Sequence, residues 1–372
     1  MSKKAMWAQT LVFVAFIALF FLLNLITPEK GFSERENRVL QTAPEFSFSS
    51  LFEGKYTAAY EDYVTDQFAF RDGWITLKAR SELLSGKEEN NSVYLCENET
   101  LLERFEAPNY DDVDFSLDAI NTLAENSNAQ VYFVLIPSAS EIWREKLPDG
   151  APSYSQLDVI DHAYAYTGAA TVDISSALER HRDEDIFYRT DHHWTTLGAY
   201  YGYAALVRAM GMEPVPLSDY TPRAVTDSFY GTTFSSSGFS WVAPDSITAY
   251  VDQGDVKITN YPQGLPQEGT LYDESFLDVK DKYSYFYGGN TPLIEIDTGN
   301  AGSPSLLIIR DSYMDSLSPF LFPHFSNISI MDLRYYKTSP NAYIQEKGVD
   351  NILICYSVPN FVTDGNIFRV AS

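Results

Sequence analysis

Leu306–Ser316, "LLIIRDSYMDS", is the stretch whose reading decides the fold. Four consecutive Leu and Ile residues read as a strand buried on both faces, the pattern of a parallel sheet with helices on each side. Arg310, Asp311 and Ser312 then end the strand in a tight polar turn, and "MDSLSPFLFPHF" (314–325) reads as a broken helix. Further on, "ISIMDL" (328–333) reads as a strand, "NAYIQEKG" (341–348) as a short helix and "DNILICYS" (350–357) as a strand.

The same alternation lies upstream. "LDAINTLAEN" (117–126) and "SQLDVIDHAYAY" (155–166) have helical spacing, and "QVYFVLIP" (130–137) and "AATVDI" (169–174) are strand-like. Thr195 or Thr196 caps a helix running through "LGAYYGYAALVRAM" (197–210). Residues 214–300 break the rhythm. They are rich in Gly, Ser, Tyr, Asp and Pro, with short alternating runs such as "SITAYVD" and "DVKITNY", and read as an irregular β-rich insertion. Strands alternating with helices predict an α/β three-layer sandwich around a mostly parallel sheet. Ligands bind such sheets at the carboxyl ends of their strands.

The N-terminus has a different character. Ala5–Pro28 carries no charge, and its core "LVFVAFIALFFLLNLI" is long enough to span a bilayer as a helix. Lys3 and Lys4 before it favour a cytoplasmic N-terminus. "NLITPEKGF" offers no small-residue cleavage site, so residues 1–28 read as an uncleaved signal anchor and the remainder as extracytoplasmic. Residues 29–85 form a lead-in expected to pack on the main domain, with Tyr60, Val64 and Phe68 on one helical face. Residues 86–372 form the domain itself. The 372 residues are 45% apolar and 15% aromatic, enough for a sizeable core. A formal net charge of −25 with no basic patch excludes nucleic acid as a natural partner. Cys96 and Cys355 allow one disulfide outside the cytoplasm; two small buried side chains is the simpler reading, and two cysteines are too few for a structural zinc cluster.

Two polar groups fall in loops at strand ends: Ser312 in "RDS", and Asp191, His192 and His193 in "YRTDHHWTTLGAY" (188–200). A serine hydroxyl is a poor nucleophile until a histidine takes its proton, and a carboxylate orients that histidine. The Ser312 N–H is placed to meet a developing oxyanion. The bland readings stand beside this one. Ser312 can be a turn residue, His192 a structural side chain, and Trp194 a packed aromatic or a sugar platform. Arg334 and Tyr335 can face substrate, or Arg334 can pair with Asp332. His162 and His181 read as surface residues, and His324 as a cation at a helix end.

These pieces, with "ENRVL", "SVYLCENETLL" and "MDLRYY", resemble the bacterial DHHW proteins, which are similar to alginate O-acetyltransferase proteins and to SGNH (GDSL-like) esterases. The resemblance implies an SGNH-like, flavodoxin-like fold in which the nucleophile half of the chain comes last, a circular permutation. Carried over residue by residue, His193 is the general base, Asp191 its orienter and Ser312 the nucleophile. Arg310 stands where the esterase turn has glycine, and Asn360 is the candidate for the oxyanion asparagine. Trp194, His192, Arg310, Arg334, Tyr335 and Asn360 make up the remaining candidates for substrate or oxyanion contacts. The implied chemistry is O-acyl, chiefly acetyl, transfer to or from a surface or secreted polysaccharide, with no cofactor and no metal. A membrane-bound O-acyltransferase is the implied protein partner, and the likeness to an anchored D-alanylation protein keeps teichoic acid open as acceptor. The alternative is a non-catalytic glycan-binding subunit of such a system. A manganese phosphoesterase of the DHH type lacks its further aspartate motifs here.

Overall fold

The computed structural model describes residues 2–372. It divides into two units, one running to Asn90 and taking in Gly238–Ser240, the other comprising the rest.

In the first unit a 24-residue helix, α1 (Lys3–Ile26), has every residue of its apolar window unburied. Ser2 caps its N-terminus through the Ala5 N–H. After a short helical turn at Phe48–Phe52 come two longer helices, α2 (Lys55–Asp66) and α3 (Arg71–Leu84). Phe70 joins them in a left-handed conformation, φ 61°.

The second unit is built on an eight-stranded sheet. In chain order its elements are α4 (Tyr110–Asn126), β1 (Gln130–Ile136), α5 (Gln156–Tyr166), β2 (Ala170–Thr171), α6 (Thr196–Ala209), β3 (Lys257–Asn260), β4 (Gln267–Glu268), β5 (Leu293–Asp297), β6 (Leu306–Arg310), β7 (Asn327–Met331), α7 (Pro340–Lys347) and β8 (Asn351–Ser357). The strand order is β4-β3-β5-β7-β6-β8-β1-β2. Strands β7 to β2 are parallel, and β4, β3 and β5 join antiparallel at the other end. The sheet is therefore mixed: five of its eight strands are parallel, and three antiparallel strands whose place in it the sequence did not announce extend it. The cause is the segment read as an irregular insertion: its short alternating runs satisfy their backbone groups on the open edge of β7. A separate hairpin in that segment pairs Arg223–Phe229 with Asp245–Ala249.

The strand runs are continuously apolar because both faces are covered. Leu306 and Ile308 of β6 pack on one face with Trp194, Tyr203 and Leu206. Leu307 and Ile309 pack on the other with Leu117 and Ile120 of α4, Val159 and Ala163 of α5, and Ile344 of α7. Helix α4 begins seven residues before the run that announces it, at an Asn109 cap, because its first turns are acidic and carry little apolar periodicity. Cys96 and Cys355 are both free, and Cys355 is buried inside β8.

Candidate active site

Chain reversal at the ends of β6 and β8 opens the site. Counted from β6, the parallel strands lie in the order second, first, third, fourth, fifth, so the order reverses between β6 and β8. That is the switch point where doubly wound sheets hold ligands beyond their strand ends. Ser312 follows β6 in a turn closed by Tyr313 N–H donating to Asp311 Oδ1 (3.0 Å) and Met314 N–H to Asp311 O (3.3 Å). Asp311 is tied up in hydrogen bonds. It is buried, and its Oδ2 accepts from Ser357 N–H (2.9 Å), Ser357 Oγ–H (2.7 Å) and Asn360 Nδ2–H (2.8 Å), tying the Ser312 turn to the end of β8. Among the described residues no group accepts the Ser312 N–H, which is left available for an oxyanion.

The histidine loop leaves a short bridge between Phe187 and Trp194. Ser312 Oγ lies 2.7 Å from His193 Nε2, and His193 Nδ1 lies 2.5 Å from Asp191 Oδ1. The pattern is consistent with one tautomer, Nδ1–H donating to the carboxylate and Nε2 accepting from the hydroxyl. Asp191 Oδ1 also accepts the His193 N–H, and its Oδ2 accepts Thr232 N–H (2.8 Å) and Oγ–H (3.1 Å). Burial acts on Asp191 to raise its pKa. The charges of His193 and His192 and these hydrogen bonds outweigh it and hold the carboxyl well below its usual range. Burial lowers the His193 pKa, His192 adds to that, and Asp191 only partly offsets it, which favours the neutral ring, the form able to accept a proton.

Sequence reasoning missed several supporting residues, because they lie far along the chain. The Tyr283 ring stacks on His193, centroids 3.8 Å apart and planes 8° apart, and its hydroxyl donates toward Ser312 O (3.2 Å) and Ser316 Oγ (3.1 Å). Thr232 and Gly231 come from the insertion. A Cβ on Gly231 would lie 2.2 Å from Asp191 Oδ2, so only glycine lets the chain approach the carboxylate. Asp245 Oδ2 accepts Thr190 N–H (2.7 Å) and Oγ–H (2.6 Å), fixing the residue before Asp191. A "G-T-T" after an aromatic run was the one available signal, and it is weak.

The other candidates separate. Trp194 is fully buried; its Nε1–H donates to Tyr313 O (2.9 Å) and lies 3.1 Å from Ser316 Oγ, so it joins histidine loop to nucleophile turn and offers no face to a sugar. Arg310 is likewise fully buried, which corrects its place among substrate contacts. Its Nη1–H donates to Asn290 Oδ1 (3.1 Å), and its Nη2 sits 2.9 Å from Asp315 Oδ1, close enough for ion pairing but not aligned as a hydrogen bond. His192 is half-buried beside the triad and bonded through Nδ1 to Thr232 Oγ (2.5 Å), so its structural partner is Thr232. Arg334 forks onto Asp332 through Nε (2.9 Å) and Nη2 (2.6 Å), yet it also lines a polar cavity of about 260 Å³ with Asp311, Asn360, Thr363, Asp364 and Asn366. Tyr335 is exposed and lies outside that lining. His162 pairs with Asp114 and His181 with Glu184. His324 is bonded to the Tyr203 hydroxyl (2.7 Å), and burial lowers its pKa, so it is not the helix-end cation expected.

Asp191, His192 and His193 can each bring one ligand atom within 4.8 Å of the others. Both Asp191 oxygens, both His193 nitrogens and His192 Nδ1 are already engaged, so the donor set fits a hydrogen-bonded chain rather than a cation site.

The molecule is thus an α/β protein with an Asp–His–Ser chain at the switch point of its sheet. It belongs to the DHHW protein family, whose model matches residues 113–331. The crystal structure of a DHHW family protein from Eubacterium siraeum superposes with TM-score 0.67 at 24% identity, covering 76% of this chain and 95% of that one. Bacillus cereus PatB1, solved with a sulfonyl adduct, gives TM-score 0.63 at 21% identity over 75% of this chain and 100% of its own. Both likenesses show the fold. A probable alginate O-acetylase, AlgJ of Pseudomonas syringae pv. tomato, is 23% identical over 197 residues, 50% of this chain and 49% of its own. The chain spans about half the length of that curated relative.

Proposed function

We propose that the chain is an extracytoplasmic serine acyltransferase that moves an acyl group, chiefly acetyl, onto or off a polysaccharide hydroxyl. The observation that carries this is Ser312 Oγ at 2.7 Å from His193 Nε2, with the other ring nitrogen held by Asp191. Ser312 Oγ attacks the donor carbonyl while His193 Nε2 takes its proton. The tetrahedral oxyanion is met by the Ser312 N–H and by the second Nδ2 hydrogen of Asn360. Collapse returns the proton to the leaving group and leaves an acyl-serine. A sugar hydroxyl or water then attacks the ester, His193 takes that proton, and Ser312 is regenerated. The polar cavity beside Asn360 and Arg334 is the acyl or sugar subsite.

The SGNH-like reading treats β6 as the first strand of the fold and the chain as circularly permuted, with α1 as a membrane anchor. The alginate O-acetylase relative supports a polysaccharide as acceptor; a membrane-bound O-acyltransferase as partner is implied by the family resemblance alone. A sulfonyl fluoride tests the nucleophile directly, because an activated serine displaces fluoride and gains the sulfonyl mass. Labelling and aryl-acetate turnover are expected in the full chain, and neither in Ser312→Ala. A folded chain that takes no label at Ser312 returns the protein to a non-catalytic glycan-binding role.

A further inference from the structure

The first unit presents apolar side chains that no core covers. Phe70 is 70% exposed at the tip of the α2–α3 turn, in a left-handed conformation that a bulky residue rarely adopts. The turn is fastened to α1 well inside its apolar run. Phe68 stacks on Phe20, centroids 5.5 Å apart and planes 7° apart, and Trp74 lies 5.5 Å from the same ring. Ala69 N–H donates to Asn24 Oδ1 (2.7 Å). Just beyond α1, Lys30 N–H donates to Gln67 Oε1 (2.9 Å) and Tyr63 O–H to Glu29 Oε1 (2.7 Å). Helix α2 therefore descends along the exit of α1, and the turn continues to the level of Phe20.

Phe20 lies six residues before Ile26, roughly 9 Å along the helix axis. A 24-residue helix is about 36 Å long, against a hydrocarbon layer of about 30 Å. If α1 spans a bilayer, the Phe68–Trp74 turn cannot stay in bulk water. Its polar groups suit that position. Besides the Ala69 bond, Arg71, Gly73 and Trp74 N–H donate to Phe68 O or Phe70 O, and Trp74 Nε1–H to Ala69 O (3.2 Å). The Arg71 guanidinium is doubly bonded to Glu36. Four of the seven backbone donors of the turn and the Arg71 charge are thus paired; among the described residues the Phe68, Phe70 and Asp72 N–H groups and the Asp72 carboxylate are not, which limits the turn to the hydrated lipid interface, and Trp and Phe are the side chains of membrane-interface anchors.

We infer that the Phe68–Trp74 turn is a second membrane contact, inserted into the outer lipid interface beside α1 and holding the start of the ectodomain to the bilayer. This rests on the membrane-anchor reading of α1. The test uses the full chain in nanodiscs, in a Cys96→Ser background with Cys355 left buried, carrying an environment-sensitive fluorophore on Phe70→Cys, Leu11→Cys or Lys87→Cys. Brominated lipids are expected to quench the labels at 11 and 70 and to leave 87 unaffected. Quenching at 11 without 70 overturns the turn's insertion while leaving the anchor standing. No quenching at 11 overturns both. A blue-shifted label at 70 that brominated lipid does not quench means a protein surface covers the turn instead.

Discussion

In the proposed mechanism His193 acts as a base only while it is uncharged, and its surroundings set that condition. Burial lowers its pKa first and His192 lowers it further, against the pull of Asp191. The acidic limb of the activity profile is therefore expected below about 6.5, the ordinary imidazole value. Replacing His192 with Gln removes one depressing charge, so the limb of that variant moves upward in pH. A limb that stays put in His192→Gln contradicts the charge argument. The same shift bears on stability. An imidazole whose folded pKa is depressed is protonated more readily in the unfolded chain, so stability declines as pH falls through about 6.5 towards the folded value. Asp191 has the usual carboxylate sign: its contribution is present above the unfolded carboxylate pKa and disappears as pH drops through the folded one. Asp191→Asn keeps the shape but favours the wrong imidazole tautomer, and is expected to lower kcat by about three to four orders of magnitude with little change in KM. Steady-state kinetics with an aryl acetate measures both numbers.

At the scale of elements, the end of β6 is the part under most electrostatic load. Arg310 is paired across to Cys355 in the ladder, and its side chain reaches Asp315 on the helix that follows the nucleophile turn and Asp332 after β7, the latter at 3.7 Å. Burial pushes Asp315 up to about 7, while the Arg310 charge pulls the other way. Without Arg310 the Asp315 carboxyl rises further and a charge on it has no partner, so Arg310→Met is expected to destabilise the fold by about 3–5 kcal/mol at alkaline pH. The loss should shrink below about pH 7, where Asp315 is neutral with or without Arg310. Denaturant unfolding at two pH values reads this difference, and an equal loss at both would remove Asp315 from the explanation. Helix α6 serves the site differently. Thr195 caps it through the Gly198 N–H (3.2 Å), and the absence of a side chain on Gly202 leaves room for the Trp194 ring, which a Cβ would approach to 2.8 Å. The helix start thereby sets where His193 points.

The whole molecule carries 51 acidic against 26 basic side chains. An acidic surface repels a polyuronate and leaves a neutral glycan unaffected. Acyl transfer to a neutral polysaccharide is expected to exceed transfer to an anionic one at low ionic strength. Added salt should narrow the gap as the Debye length contracts from about 30 Å at 0.01 M to about 10 Å at 0.1 M. Equal rates at low salt would remove the global charge from the explanation of acceptor choice.

Local pattern carried a good deal of this. The apolar runs at 130–137, 306–310 and 350–357 became β1, β6 and β8, because a strand buried on both faces must be apolar throughout. Ser312, His193 and Asp191 could be named because a turn after such a strand and a polar cluster at a helix start are local features. What sequence could not reach was everything depending on contacts between distant segments. Tyr283 beneath His193, Thr232 and Gly231 against Asp191, and Asp245 behind Thr190 come from a stretch whose short irregular runs declare no partner. That stretch also made the sheet mixed. Trp194 and Arg310 carry groups that suit a ligand, and only tertiary burial assigned them to the interior. Residue type and spacing determine which chemistry is available and which segments can be strands; burial and long-range hydrogen bonding decide which side chains meet, because those energies exist only once the chain has closed on itself.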